Sequence, residues 1–514
     1  MSKHYDVVVL GAGVGALSAA ALLARRSWRV LVLGQGWRPA TYAWNGLPLA
    51  RRTFSFLAGT TPVWRRILIE LAQSQAFRRH VRAPDPMFQV LDARLRISLP
   101  SDDVLRGREI DREFSEVRRL VDDLYAEIGR VNEAADAAFE QDVVWSPGTF
   151  WERRETARAV AMLPFRRERE KDLVAEFPRG HAFRSIVKVP ATFAANVGVD
   201  LPPLALARLY GAWTRGLLEF GRGDAELTEF LTERVRAHGG EVHLSGRASE
   251  IATRSGRATG VRIDGDDEVT GVQFVVTDLP SSALVDLAPS YRPPRRAEVG
   301  RPRIEVESQR FVMSMLVRDE GVPAALATEA FLLPPTGSDG HVVHLQRSAS
   351  PAPGTTLLVA EVRVGPPETF GARERRVVRA SMVASIERYL PYVERHTLLV
   401  DSPHDGLPLW DYRSGARVLV DRTALRGEGG SIEPETMRPL VRVDDRAASS
   451  LGGLEGESLR YPLGSTFGVG ETVLPGLGQE GELLAAWGSA RIITRTDRHK
   501  EKMRREMWNK VELG

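Results

Sequence analysis

The sequence predicts an α/β protein of more than one domain, and three stretches predict it. Residues 5–36, YDVVVLGAGVGALSAAALLARRSWRVLVLGQG, run from an apolar segment through a glycine-rich turn into an Ala/Leu-rich segment and back to an apolar one. Residues 241–277 give short Val-bearing runs divided by turn residues. Residues 467–493 give a glycine-rich loop that feeds an apolar helix. At 514 residues the chain is too long for one simple core.

The first stretch reads as one βαβ unit. Residues 6–10 are a buried strand by length and Val content. Gly11-Ala12-Gly13-Val14-Gly15-Ala16 turns the chain directly into a helix, and residues 28–33 return as a second strand. Gly11 permits the tight turn, Gly13 lets backbone approach a pyrophosphate, and Ala16 allows close helix–strand contact. The helix start supplies free N–H groups and partial positive charge. A GxGxx(G/A) run placed between a strand and a helix is a dinucleotide-binding signal, where the same letters elsewhere are only a turn. The second strand of such a unit usually ends in Asp or Glu, which holds the ribose hydroxyls. Gly34 stands there instead. Gln35 could donate or accept in its place without charge, and Arg38 could approach the pyrophosphate or a 2′-phosphate.

Composition excludes several function classes. Net charge is only +3, and no basic block is interleaved with aromatics, so a nucleic-acid partner is not expected. There is no cysteine, which removes disulfides, thiolate metal sites, cysteine nucleophiles and a cysteine-tethered flavin. That usage fits a reducing cytoplasm. Asp6 already belongs to the first strand, so no secretory signal is expected ahead of it. No apolar run approaches the length of a spanning helix. The ten histidines contain no HExxH, no metal site is expected, and His341 and His344 read as side chains of one strand.

Asn45-Gly46 and Thr61-Pro62 mark turns, residues 64–71 read as helix, and 88–100 read as a strand pair turning at Asp92-Ala93. Phe114, Val117, Val121, Leu124 and Ile128 make one helix stripe. Residues 151–171, rich in Arg and Glu, read as a solvated helix face, with contact to anionic lipid as the sharper alternative. Leu206, Leu209, Tyr210, Trp213, Leu217 and Phe220 form another apolar helix face, either core or the lining of a lipophilic tunnel. A helix ends at Gly239-Gly240. Strands are expected over 241–244, 247–253, 258–263 and 273–277, the second and third pairing across Ser255-Gly256. Residues 304–317 and 356–364 read as strands, 373–390 as a helix stopped by Pro391, and 423–465 as loop.

In the last glycine-bearing stretch, 467–469 is a strand or turn and 475–478 a loop. Gln479 or Glu480 starts a helix through Ile493, again an acceptor for an anion or dipole. Residues 495–510 are basic, with Met503, Met507 and Val511 on one stripe beside Trp508. A docking helix is the first reading, and a helix lying on a membrane or partner surface the second.

Three blocks together resemble the flavin-dependent phytoene desaturase / amine oxidase-like oxidoreductases: GAGVGALSAA, GGEVHLSGRASEIATRSGRATGVRI and VGETVLPGLGQEGELLAAWGSA. ERYLPYV at 387–393 and Asp401-Ser402-Pro403 resemble the family's helix and substrate-domain strand. The resemblance implies a Rossmann-like FAD-binding domain assembled from 1–70, 222–290 and 455–494. A discontinuous α+β substrate domain would comprise 71–221 and 291–454, followed by a basic C-terminal helix over 495–514. It implies an adenine contact through the backbone of Ala248. Gly470-Glu471 would face the ribityl–pyrophosphate region, where the family ordinarily has Gly-Asp. The helix beginning near Gly478 and Gln479 would point at the flavin pyrimidine edge, where a helix start stabilises the charge of a reduced flavin.

The expectation is therefore an FAD-dependent oxidoreductase that removes hydride from a lipophilic small molecule and creates or moves a C=C bond. No catalytic residue is assigned, because the flavin carries the redox chemistry. Two rivals stand beside it. Gly34 and the basic C-terminal helix suit a cofactor-poor relative kept as a binding or assembly subunit, and the missing acid with Arg38 nearby suits NADP. Substrate, electron acceptor and oligomeric state are not legible.

Overall fold

The computed structural model describes residues 4–512 except 167, 169, 170, 199, 200, 267, 294–303, 336, 337, 339 and 444–450. The charged run at 165–171, the reach beyond residue 290 and the loop at 423–465 therefore fall partly outside the described residues. Two large sheets organise the chain. The seven-stranded sheet runs in the order Ala248–Arg254, Arg257–Ile263, Val269–Thr277, His4–Leu10, Val30–Leu33 and Glu241–His243, with Thr466–Gly468 added beside Val269–Thr277. Its centre is parallel: Val7 pairs with Val30 on one side and with Phe274 on the other. Parallel strands buried on both faces read as continuous Val/Leu runs, which is how these segments are written.

The helix Val14–Arg25 crosses this sheet and is buried from Gly15 to Ala24. Its alanines let the helices Gln479–Thr494 and Asp224–Ala237 lie close on either side. The return strand starts at Val30, two residues later than the sequence suggests. Trp28 packs edge-on against Phe274 instead.

The second, ten-stranded sheet is centred on the long strand Ile304–Arg318. Thr355–Val364, Thr397–Asp401 and Arg438–Val443 all pair with it. Its outer face is covered by the helix Ala372–Tyr389 through Val378, Met382 and Ile386. The hairpin Thr41–Trp44 and Leu47–Ala50, turned by Asn45 and Gly46 at positive φ, packs Tyr42 and Leu49 on Val312 and Leu316 of this sheet. Thr61 caps the helix Pro62–Glu70, with Pro at its first turn.

Four expectations are corrected. The stripe from Phe114 to Ile128 is buried as one face, but on three pieces: the helix Asp103–Phe114, a 3₁₀ turn Ser115–Val117 and the helix Arg118–Phe139. A 3₁₀ turn keeps the face inward while changing direction. The helix Pro203–Arg215 ends before Leu217 and Phe220, which reach the same core from the following turn and strand. The glycine-rich text after 423 contains a 3₁₀ segment, Arg422–Glu428, and the strand Arg438–Val443. His344 lies in the strand Val343–Ala349, whereas His341 precedes it.

The last helix, Arg498–Glu512, docks on the protein. Trp508 meets Trp487 edge-on, and its indole N–H reaches Glu70. Arg504 is buried on Asp142 and Glu501. Among the described residues no helix is long and apolar enough to cross a membrane.

Candidate dinucleotide site

The carboxyl ends of the parallel strands His4–Leu10, Val30–Leu33 and Val269–Thr277 open on one edge, where an α/β sheet binds its ligands. Gly11 has φ +117°, and Gly13 caps the helix that follows. Gly15 has no room for a side chain: a Cβ would stand 2.1 Å from the Val469 carbonyl. Ala16 is fully buried behind it. The loop therefore has the backbone form that a pyrophosphate needs, with consecutive N–H groups at a helix start.

That turn is already engaged. Gly13 N–H donates to Asp278 Oδ2 at 2.8 Å, and the Glu482 side chain lies against Gly15, its Cβ 3.2 Å from where a Cβ on that glycine would stand. A Cβ on Gly11 would fall 1.8 Å from Asp278 Oδ1, so the Asp278 carboxyl group lies directly against the glycine turn. Burial pushes Asp278 up to about 6, and repulsion from Glu471 adds to it against the Gly13 hydrogen bond. Burial, Glu471 and Asp278 likewise hold Glu482 well above the ordinary carboxylate range, and Arg438 opposes them.

Gln35 and Ala248 come together. The Gln35 amide donates to the Ala248 carbonyl at 3.1 Å and accepts from Ala248 N–H at 2.7 Å, so both backbone groups of Ala248 are satisfied. Gly34 has a steric cause. A Cβ there would sit 1.9 Å from the carbonyl of Leu244, so the place of the usual acid is closed by backbone. Arg38 pairs with Glu435 at 2.9 Å, on the rim of a broad open cavity of about 680 Å³ that Arg51 and Arg426 also line.

The third glycine block meets the first at Asp278. A Cβ on Gly470 would lie 2.1 Å from the Asp278 carbonyl, and Glu471 pairs with Arg438 at 2.6 Å. Further on, Gly478 has φ +53° and no space beside the Ala194 carbonyl. Gln479 opens the helix and clasps the 55–57 segment, accepting from Leu57 N–H at 2.9 Å and donating to the Ser55 carbonyl at 3.0 Å. Glu480 is held by two 2.6 Å hydrogen bonds from the buried Arg208. The cavity lined by Leu57, Ala194, Leu209, Leu477, Gln479 and Glu480 measures about 20 Å³. That is room for a water or two, against roughly 300 Å³ or more for a ligand pocket. Leu206, Tyr210 and Trp213 are buried core side chains.

A second polar cluster adjoins this helix start. Ser55 donates to Glu329 at 2.7 Å, and Glu329 also meets His344 Nε2 at 2.6 Å. The His344 ring stacks on Phe331. Its cross-strand neighbour Glu361 pairs with the buried Arg310. The sequence named only His344 of these, as a strand side chain, and it did not single out Asp278, Glu482 or Arg438. The available signals were Asp278 at the carboxyl end of a Val-rich strand and the acids Glu480 and Glu482 in the first turn of an apolar helix.

The site therefore has the backbone for FAD but, as its side chains stand, does not admit it. Two carboxyl groups fill the phosphate turn, Gln35 occupies the Ala248 backbone, and the helix start at Gln479 is closed.

Residues 9–71 match the model of the NAD(P)-binding Rossmann-like domain. No curated protein matches the chain. Among solved structures, the chain is similar to an oxidoreductase from Methanosarcina mazei, with 15% identity, TM-score 0.57 and coverage of 94% of this chain and 98% of that one. It is similar to a triple mutant of putrescine oxidase from a redesign of cofactor binding, at 14% identity and TM-score 0.55, covering 96% and 100%. Cyclohexylamine oxidase from Brevibacterium oxydans follows at 16% identity and TM-score 0.50, covering 98% and 100%. The fold is thereby placed: a Rossmann-like domain and a second sheet, in the layout of the putrescine oxidase and cyclohexylamine oxidase structures.

Proposed function

We propose that this chain is an FAD-dependent oxidoreductase acting on a lipophilic small molecule, with the change from C–C to C=C as the reaction class. The observation that carries the reading is the meeting of the Gly11–Ala16 turn with Val469 and Glu482 of the last glycine-bearing stretch at the carboxyl ends of the parallel strands. Bound FAD would supply the redox chemistry, and the protein would supply position, an apolar surround and a helix dipole. The phytoene desaturase-like assignment within this class rests on the three sequence blocks. A cofactor-poor relative kept as a binding or assembly subunit gains nothing from the comparisons, whose reported members are named as oxidases and an oxidoreductase.

The cofactor arrangement requires Asp278 and Glu482 to turn away from the Gly11–Ala16 turn, Gln35 to release the Ala248 backbone and the helix start at Gln479 to open. Arg38 and Gln35 are then residues at the nucleoside end, and Glu471 faces the phosphates from the opposite loop. The test is absorbance. Protein purified, or incubated with added FAD, should show the visible bands of bound oxidised flavin. Protein that stays colourless and takes up no FAD at any pH overturns the reading. Mass spectrometry of what leaves the denatured protein reports cofactor and any retained lipophilic ligand together.

A further inference from the structure

We propose, resting on the dinucleotide reading above, that Asp278 and Glu482 form an internal plug in the phosphate turn, and that a pyrophosphate ligand binds with uptake of protons. The geometry points to competition for the same donors. Gly13 and Gly15 lie at the start of a helix, where the Gly13 N–H already serves the Asp278 carboxyl group and the Glu482 side chain lies against both glycines. The two acids come from different elements, Asp278 from the end of Val269–Thr277 and Glu482 from the first turn of Gln479–Thr494. They close on the turn from two sides, and the empty face of Gly11 receives Asp278 where a side chain could not fit. An internal carboxylate at a helix start satisfies orphan N–H groups much as a phosphate does.

The surroundings decide how the plug can leave. Glu471 faces both acids and Arg438 faces Glu482, Arg438 being paired with Glu471 and also influenced by Glu361. Tyr461 faces Asp278 and is kept neutral by burial and by Glu457. Glu457 accepts from Ser281, Tyr461 and Thr472. One cation thus faces several acids. A pyrophosphate brings about two further negative charges to this place, and like charges held a few ångströms apart in a partly buried site repel strongly. Neutralising Asp278 and Glu482 removes that repulsion and weakens their hold on the turn. Both are placed to take up a proton near neutral pH. Each coupled proton tightens binding by up to about tenfold per pH unit across its range.

The test is titration of the full chain with FAD, and separately with ADP, by equilibrium dialysis at pH 5.5, 7.0 and 8.5. ADP isolates the phosphate turn from the helix start at Gln479. The proposal expects Kd for both probes to fall at least tenfold from pH 8.5 to pH 5.5. Asp278→Asn and Glu482→Gln should each bind more tightly than the native chain at pH 8.5 and show a flatter pH profile. The Asn and Gln replacements keep size and hydrogen bonding, and circular dichroism confirms their folding. Native binding that is independent of pH and unchanged in both variants overturns the plug while leaving the dinucleotide reading intact. Absence of FAD and ADP binding in all three proteins at every pH overturns both.

Discussion

Gly15 shows at the scale of one residue why a spacing rule works. Its missing side chain lets the turn of the first helix lie against Val469 and Glu482, joining two blocks more than 450 positions apart. Gly15→Ala should cost about 1–3 kcal/mol by overpacking against a backbone carbonyl that cannot yield, read as a lower urea midpoint with unchanged slope. Gly34 is the opposite case. The missing acid suggested a weakened ribose contact, and the structure gives a different cause, the Leu244 carbonyl in the space a side chain would use. The sequence marks both positions as glycine and cannot say which contact demands it, because the demanding atom belongs to another segment.

At the scale of elements, the C-terminal helices show how charge fastens one element to another. Asp142 sits among Arg491, Arg504 and the Trp487 indole N–H. Burial pushes its carboxyl up, but Arg504 and Arg491 outweigh that and hold it at about 2. Hydrogen bonds from Arg495 and Arg491 hold Glu155 at about 2 as well. Both values lie below those of an unfolded chain, so the clamp contributes fully above about pH 4.5 and is lost as pH falls toward 2. Trp487 and Trp508 lie beside it, so acid titration should shift tryptophan fluorescence across that window. Asp142→Asn should shrink the shift, and a flat titration in the native protein would refute the clamp. The basic residues of the last helix hinted at a membrane or partner surface in the sequence. The structure shows Arg504 turned inward on Asp142 and Glu501, a choice that depends on an acid some 360 positions away. The strand Arg438–Val443 was missed for a related reason. Its alternation is short and follows a glycine-rich loop, and it exists by pairing with Ile304–Arg310.

At the scale of the whole molecule, two sets of acids pull stability in opposite directions. Asp278 is raised to about 6, so the folded chain keeps a proton that the unfolded chain releases near pH 4. Its contribution is present at low pH and is lost as pH rises from about 4 to about 6, with Glu482 extending the decline upward. Together with the Asp142 and Glu155 clamp, these four acids by themselves favour the folded chain most at about pH 4 to 4.5. Thermal melting from pH 4 to 8 should show the decline in the native chain and less of it in Asp278→Asn. An equal slope in both would refute the assignment. By itself the sequence determined the alternation of strands and helices, the turn at Asn45-Gly46, a strand from Ile304 and the three glycine-bearing turns. These follow from local sterics and from apolar periodicity, which neighbouring residues carry among themselves. Only the tertiary structure decided what fills the turns: Asp278 on Gly13, Glu482 on Gly15 and Gln35 on Ala248. Hydrogen-bond donors at a helix start take whichever acceptor the fold brings within 3 Å, and that acceptor comes from a distant part of the chain.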